Sequence, residues 1–514
     1  MRGKLELGCQ FARTLMPNEA PRITAFLGYA PDVDPTLDGV MTNCVGIVPT
    51  QRGFAGAPSP ISTVLSALPA ACHGIAAVMK TDDTTRLFAG TLTQLLEASG
   101  ATWTTRSGTI SGLGAANRWR FAQFQDSTLA AAITEKTQFI AGATQFADVT
   151  ATAPKCAIIE AVNNFVIGFD VIDQAGIYEA TATAHPDGWW CAAKGGYTSW
   201  IPNVDTEAAT GTLSSTPGKI LGAKAFGYQC IAYKKNSMYL GTYVGSGVIW
   251  DWQLIPGSAG ALSNEVIINV GTPGAPQHIF MGPDNFYRYR AGQVEPIGEE
   301  VNDAVFDNLN TEYYYAATAL HDFKNKLVYF YYPVVGAITP DSCVVFNYLT
   351  GKWGRDDRTV EATAQWVAPG ITYAELGTNY TTYADFPDAA YNLAFLTSGV
   401  SVPMIVNTSH VLQTLTSTPG TTSITSNDIG DETVQVLISR VVPRFITKPA
   451  TCTLTNYYRE QLGDALTTDQ TTTIDAGRFD FTRSAPWHRV KFTFTGAVEI
   501  TGFRLDAKPD GEIV

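Results

Sequence analysis

The stretch IAAVMKTDDTTRLFAGTLTQLLEAS, residues 75–99, reads as strand, corner, strand, corner. The apolar run Ile75 to Met79 ends at an acidic polar turn, Asp82 to Thr85, a second strand follows, and Gly90 reverses the chain again. Short apolar runs bounded by turn residues, with no 3.6-residue period, are the signature of β-hairpins. The same unit recurs at CAIIEAVNNFVIGFD (156–170), turning at Asn163-Asn164, and at GYQCIAYKKNSMYLGTY (227–243), turning at Lys235-Asn236. It recurs again at HIFMGPDNFYRYRAGQVEPIG (278–298) and AATALHDFKNKLVYFYYP (316–333). Each predicts a hairpin with a compact polar corner.

Tryptophan gives these hairpins a phase. Trp103, Trp200, Trp252 and Trp353 follow them at separations of 97, 52 and 101 residues, all close to multiples of about 50, although no Trp marks the places near 150 and 302. A period of about 50 residues holding about four strands is what one blade of a β-propeller requires. The expected fold is therefore all-β: a β-propeller of about six or seven blades over residues 66–406, with an additional terminal β-rich unit. Residues 1–65 read as an N-terminal arm with the first strands. The Thr/Ser-rich stretch NTSHVLQTLTSTPGTTSITSNDIG (407–430) reads as a loop or linker, because it holds too little apolar content for a core. Residues 431–514 return to strands that pack on or close the propeller. In WHRVKFTFT (487–495), Val490, Phe492 and Phe494 alternate inward with Lys491, Thr493 and Thr495 outward.

Composition agrees with strands and turns. The 514 residues include 62 Thr, 46 Gly, 27 Pro and 57 aromatics, which excludes coiled coil, collagen and disorder. Only 16% of residues are charged, against about 25% in an ordinary soluble domain. That scarcity suits a surface lying against other subunits, since interface cores are depleted of charge. The net charge is −13, and no Lys/Arg run is long enough to grip phosphates, although an acidic wall can still line a path along which DNA slides.

Cysteines at 9, 44, 72, 156, 191, 230, 343 and 452 include no C-x-x-C pair, and read as buried thiols of a chain made in a reducing compartment. The start MRGKLELGCQFARTL lacks an unbroken apolar run and does not read as a signal peptide. Phe54 to Met79 carries no formal charge, yet Pro58, Pro60, Pro69, Gly56 and Gly74 make it a loop leading into a strand; no membrane insertion is expected.

The residues offer no chemistry-bearing constellation. Histidines at 73, 185, 278, 321, 410 and 488 show no metal-ligand spacing, and His321 with Asp322 reads as hairpin-corner chemistry. Nucleophile elbow, P-loop and dinucleotide fingerprints are missing. A glycosidase needs two facing acids, and Asp82-Asp83 and Asp356-Asp357 are the candidates, but adjacent strand residues point to opposite faces. The reading is not an enzyme, with no catalytic, metal or cofactor-binding residue and no cofactor. Trp189-Trp190 offers a sugar-stacking platform or, as the favoured reading, a buried strand.

Three segments carry a resemblance: GVMTNCVGIVPTQRGFAGAPSP (39–60), TSWIPNVDTEAATGTLSSTPGKI (198–220), and IFMGPDNFYRYRAGQVEPIGEEVNDAVFDNLN with the later VVFNYLTGKWGRDD (344–357). Together they resemble the tail nozzle proteins of short-tailed bacteriophages, the group that includes tail tubular protein B. The resemblance covers about half the chain and transfers no functional residue. It implies a structural virion protein, made in the host cytoplasm, forming a homohexameric ring at the distal end of the tail. That ring would dock on the tail adaptor ring below the portal and stand beside tail fibres or spikes. Its channel would retain genomic DNA without sequence-specific binding and let it pass at ejection. The alternative is a carbohydrate-binding or receptor-binding propeller of a phage tail tip.

Overall fold

The computed structural model describes residues 22–82, 84–142, 144–174, 181–245, 247–257, 259–272, 274–367 and 401–512. The chain divides into two compact units, one made of residues 58–417 and the other of the flanking segments up to 57 and from 418.

Residues 58–417 form a β-propeller of seven four-stranded antiparallel blades among the described residues: six are separate four-stranded sheets, and the other is the four-strand run Thr318–Asp322, Leu327–Tyr332, Ser342–Asn347 and Lys352–Arg355 of a larger sheet. Blades one to six take their strands consecutively, and their innermost strands begin at Ile75, Arg120, Lys155, Gly222, Ile267 and Thr318. The seventh is composite: Ala362–Val367, Ser401–Val406 and Leu412–Ser417 supply three strands, and Ser59–Ser62 supplies the fourth. Each innermost strand touches the next around the ring, and that of blade seven touches that of blade one. The count of seven lies within the range read from the hairpins. Blade spacing varies from 35 residues, between Arg120-started and Lys155-started blades, to 67 for the following one, which explains the imperfect tryptophan phase.

Blades are sandwiched face to face, so their central strands are buried on both sides. Leu327–Tyr332 and Ser342–Asn347 are buried at every position, which favours the β-branched and aromatic runs found there. One apolar cluster joins blades three and four through Ile158, Phe169, Ala223 and Tyr239. Another joins blades seven and one through Met404, Leu412, Leu87 and Leu96, sealing the ring. Trp252 and Trp353 do lie in outermost strands. The Trp353 ring packs at a tilt against Phe286 of the preceding blade, with centroids 4.9 Å apart, and donates Nε1–H to the Ile297 carbonyl at 3.0 Å.

The linker expected over 407–430 is corrected. Leu412–Ser417 is the third strand of blade seven, and Thr421–Thr425 pairs with Trp487–Thr495 in the other unit. The threonine-rich strand Thr421–Thr425 succeeds because it is paired along both edges, with Thr422, Ser423 and Ile424 buried while Thr421 and Thr425 are not. The unit boundaries accordingly fall at 57/58 and 417/418 rather than at 65/66 and 406/407. The inward alternation of Val490, Phe492 and Phe494 is present as read. In the same unit Asp428 is fully buried, accepts from Arg489 Nε at 2.9 Å and Nη2 at 2.7 Å, and is also held by Arg459. The stretch from Phe54 to Met79 holds short strands and loops, and no helix among the described residues is long and apolar enough to cross a membrane.

Two substitutions test this packing. Gly241 lies under the Trp252 ring, where an added Cβ would sit 2.6 Å from Cζ3, so Gly241→Ala is expected to cost about 1–3 kcal/mol in urea denaturation. Asp428→Ala strands two buried guanidiniums and is expected to destabilise the 22–57/418–512 unit by about 3–5 kcal/mol, read from its unfolding transition.

Candidate functional site

Where seven inner strands converge, side chains must be small, paired, or pointed along the axis. The segment Asn117-Arg118-Trp119-Arg120 enters blade two, and strand alternation sends both arginines one way and Trp119 the other. Trp119 is buried and donates to the Thr91 carbonyl at 2.9 Å. Arg120 reaches from blade two to Glu265, in the turn before blade five, with Nε–Oε1 at 2.8 Å and Nη2–Oε2 at 3.1 Å. Its Nη1 donates to the Ala157 carbonyl of blade three at 2.8 Å. This bidentate pair is a strut across the ring. Burial alone would raise the Glu265 carboxyl, but the charge and hydrogen bonds of Arg120, with Arg118 nearby, hold it down at about 2.

The axis encloses a cavity of about 410 Å³, lined by inner-strand residues of all seven blades, among them Ile75, Arg120, Lys224, Ile267, His321 and Gln365. Glu160 accepts from the Ala225 N–H at 3.2 Å with Lys224 Nζ 3.9 Å away; burial raises its carboxyl against both. Thr318 and Thr363 share a hydrogen bond of 2.7 Å, and Gln365 donates to the His321 carbonyl at 3.0 Å.

A second cavity, of about 350 Å³, occupies the mouth on the face where the loops between blades enter the inner strands. Asn117, Arg118, Asp170, Lys219, Tyr314 and Tyr315 line it. Asp170 sits at an irregularity in the second strand of blade three, between Phe169 and Val171, with φ of 51°, a left-handed conformation that Asp tolerates better than most residues. Burial pushes its carboxyl up to about 6 despite the attraction of Lys219 and Arg120.

The residues singled out in the sequence lie elsewhere. Asp82 is a corner residue that accepts from the Thr84 N–H at 3.0 Å, and Asp83 falls outside the described residues. Asp356 is buried against Arg358 at 3.1 Å, whereas Asp357 faces Arg355 at 2.8 Å, so the two carboxylates answer to different cations. Asp322 caps its corner through the Asn325 N–H at 3.0 Å, while His321 belongs to the preceding strand and lines the axis, where burial lowers its imidazole to about 4. Trp189 and Trp190 are 6% and 2% exposed and belong to two different inter-blade cores, which removes the sugar platform there. The seven described cysteines are buried and form no disulfide; Cys9 falls outside the described residues. No group of His, Cys, Asp or Glu able to hold a metal occurs among the described residues.

Fold and site together define a seven-bladed β-propeller whose axis is braced by an ion pair and whose loop-rich mouth holds a polar cavity. No family model matches the chain, and no curated protein does. Similar solved structures include YCF48 bound to a D1 peptide, at 9% identity and TM-score 0.36 over 70% of this chain and 96% of that one. YCF48 from Cyanidioschyzon merolae matches at 10% identity and TM-score 0.35 over 70% of this chain and 99% of that one. The structure of YjhT matches at 8% identity and TM-score 0.36 over 57% and 99%. The propeller assignment rests on the closed ring of sheets, not on these values.

The folded protein keeps the Asp170 proton up to about pH 6, whereas an unfolded aspartate loses it near 3.8. The folded pKa being the higher, this group's contribution is fully present below the unfolded value and is lost as pH rises through the folded one. Asp170→Asn is expected to remove that loss, stabilising the propeller above pH 6 by about 1 kcal/mol after allowance for partial exposure, and to leave acid stability unchanged. Melting temperature against pH for both proteins checks it.

Proposed function

We propose that this protein is a structural virion component, the nozzle at the distal end of a short phage tail, in which copies of the chain form a ring around a DNA channel. The observation that carries the reading beyond the sequence resemblance is the closed axis. An ion pair crossing from blade two to blade five, in the lining of a 410 Å³ axial cavity, leaves no room for a duplex within one propeller. The propeller therefore serves as a wall, and the channel lies between copies.

Surface chemistry supports the same role. A net charge of −13 opposes adhesion of phosphates to that wall. On the propeller face formed by the corners between first and second and between third and fourth strands, Tyr228, Phe323, Leu349, Val204 and Val248 are each more than half exposed, which suits coverage by a neighbouring subunit or adaptor. The partners of this reading are five further copies, the tail adaptor ring, and tail fibres or spikes. Its location is the virion, and no catalysis is part of the role.

Sedimentation and negative-stain micrographs of the purified chain, alone and with its adaptor, are expected to give a hollow ring of six times 55.3 kDa. A strictly monomeric species at every concentration, with adaptor present, overturns the nozzle. The runner-up, a binding propeller of the tail tip, draws on the mouth cavity and leaves the oligomeric state open.

A further inference from the structure

The mouth cavity has a charge balance unlike that of the protein around it. Of its three cations, Arg120 is neutralised by Glu265. Arg118 and Lys219 have no carboxylate within ion-pair distance among the described residues, and Asp170 is the one acid in the lining, leaving one excess positive charge in a chain of net −13. Arg118 is poorly used by the fold: its Nη2 makes a long 3.4 Å contact to the Ala316 carbonyl, and its Nε is buried without an acceptor. A buried donor left unmade costs free energy that a bound acceptor would restore. The Asp170 side chain has no hydrogen-bond partner among the described residues, although it is partly buried at the left-handed irregularity of its strand.

The remaining lining sets the ligand's shape. Tyr314 and Tyr315, with centroids 6.4 Å apart at an interplanar angle of 72°, give aromatic surface beside the cations. The Asn117 side chain adds an amide with both a donor and an acceptor. A volume of about 350 Å³ lies at the small end of ligand pockets.

We propose that this cavity is a binding site for an acidic monosaccharide unit, a hexuronate, whose carboxylate is taken by Arg118 and Lys219, whose hydroxyls donate to Asp170 and Asn117, and whose ring rests against Tyr314 and Tyr315. A planar carboxylate suits the guanidinium fork. An acid in the lining disfavours a phosphate dianion, which brings more negative charge and few hydroxyl donors, but serves a sugar rich in hydroxyls. The site is independent of the nozzle role, since it lies within one propeller and needs no second copy.

Titration calorimetry of the full chain at pH 7 with glucuronate and galacturonate, with glucose and inorganic phosphate as comparison ligands, tests the assignment. At least one uronate is expected to bind saturably, and glucose and phosphate at least tenfold more weakly. Lys219→Gln, at an exposed position that leaves the fold intact, is expected to weaken uronate binding about tenfold, and Arg118→Gln more; circular dichroism verifies folding of each. No saturable uronate binding overturns the site. Phosphate binding as tightly as uronate, or uronate binding unchanged in folded Lys219→Gln and Arg118→Gln proteins, overturns the ligand assignment.

Discussion

Every inter-blade core in the propeller depends on four residues meeting a strand some 350 positions later. Ser59–Ser62 pairs with Leu412–Ser417, placing Ile61 opposite Thr414 and Pro60 opposite Leu415. A blade buries apolar side chains on both faces, so each needs two neighbours; an open array would leave the outer faces of its first and last blades in water. The Met404, Leu412, Leu87 and Leu96 cluster fills the space where blades seven and one meet, and that strand ties the chain leading into blade one to the edge of blade seven. Burial of such side chains is worth roughly 1.5–3 kcal/mol each, far more than the hydrogen bonds of the short strand itself.

Closure also dictates what the axis can contain. Seven strands brought together leave a narrow space walled by protein, so charges pointing there gain from partners. Arg120 finds Glu265 across the ring, and Glu160 finds Lys224 and a backbone N–H from the adjacent blade. These pairs join blades that share no sheet. At the mouth, where the loops spread apart, the demand relaxes, and Arg118, Lys219 and Asp170 are left with unspent hydrogen-bonding capacity.

Hairpin and corner residues were legible because strand chemistry is local. Asn163 and Asn164 occupy left-handed conformations at a two-residue turn, as their identity suggested, and Phe286 and Trp353 pack as aromatic strand residues should. Blade seven was harder, since its fourth strand comes from the far end of the unit and nothing in Ser59-Pro60-Ile61-Ser62 announces a partner. The Thr/Ser-rich stretch misled because low apolar content was read as loop, when Leu412 and Leu415 in one strand, and Ile424 beside buried Thr422 and Ser423 in the other, were enough. The mouth cavity joins residues 117 to 315 from five blades, so no spacing rule could collect it. The available signal was the alternation of Arg118 and Arg120 about Trp119, which puts two cations on one face of an innermost strand.

The composite seventh blade has a consequence for how the chain is made. Residues 59–62 emerge early and must wait for residues 412–417, a delay of roughly 20–70 s at ordinary synthesis rates. Until then, blades one to six form an unfinished arc with apolar faces at both ends. The other unit waits longer still, because its segments before 58 and after 417 bracket the whole propeller. Thr421–Thr425 cannot pair with Trp487–Thr495 until that later strand has been synthesised. Any assembly that recognises both units is thereby protected from truncated chains: a ribosome that stops early releases neither a closed ring nor a finished second unit, and such a chain offers no complete surface on which to build.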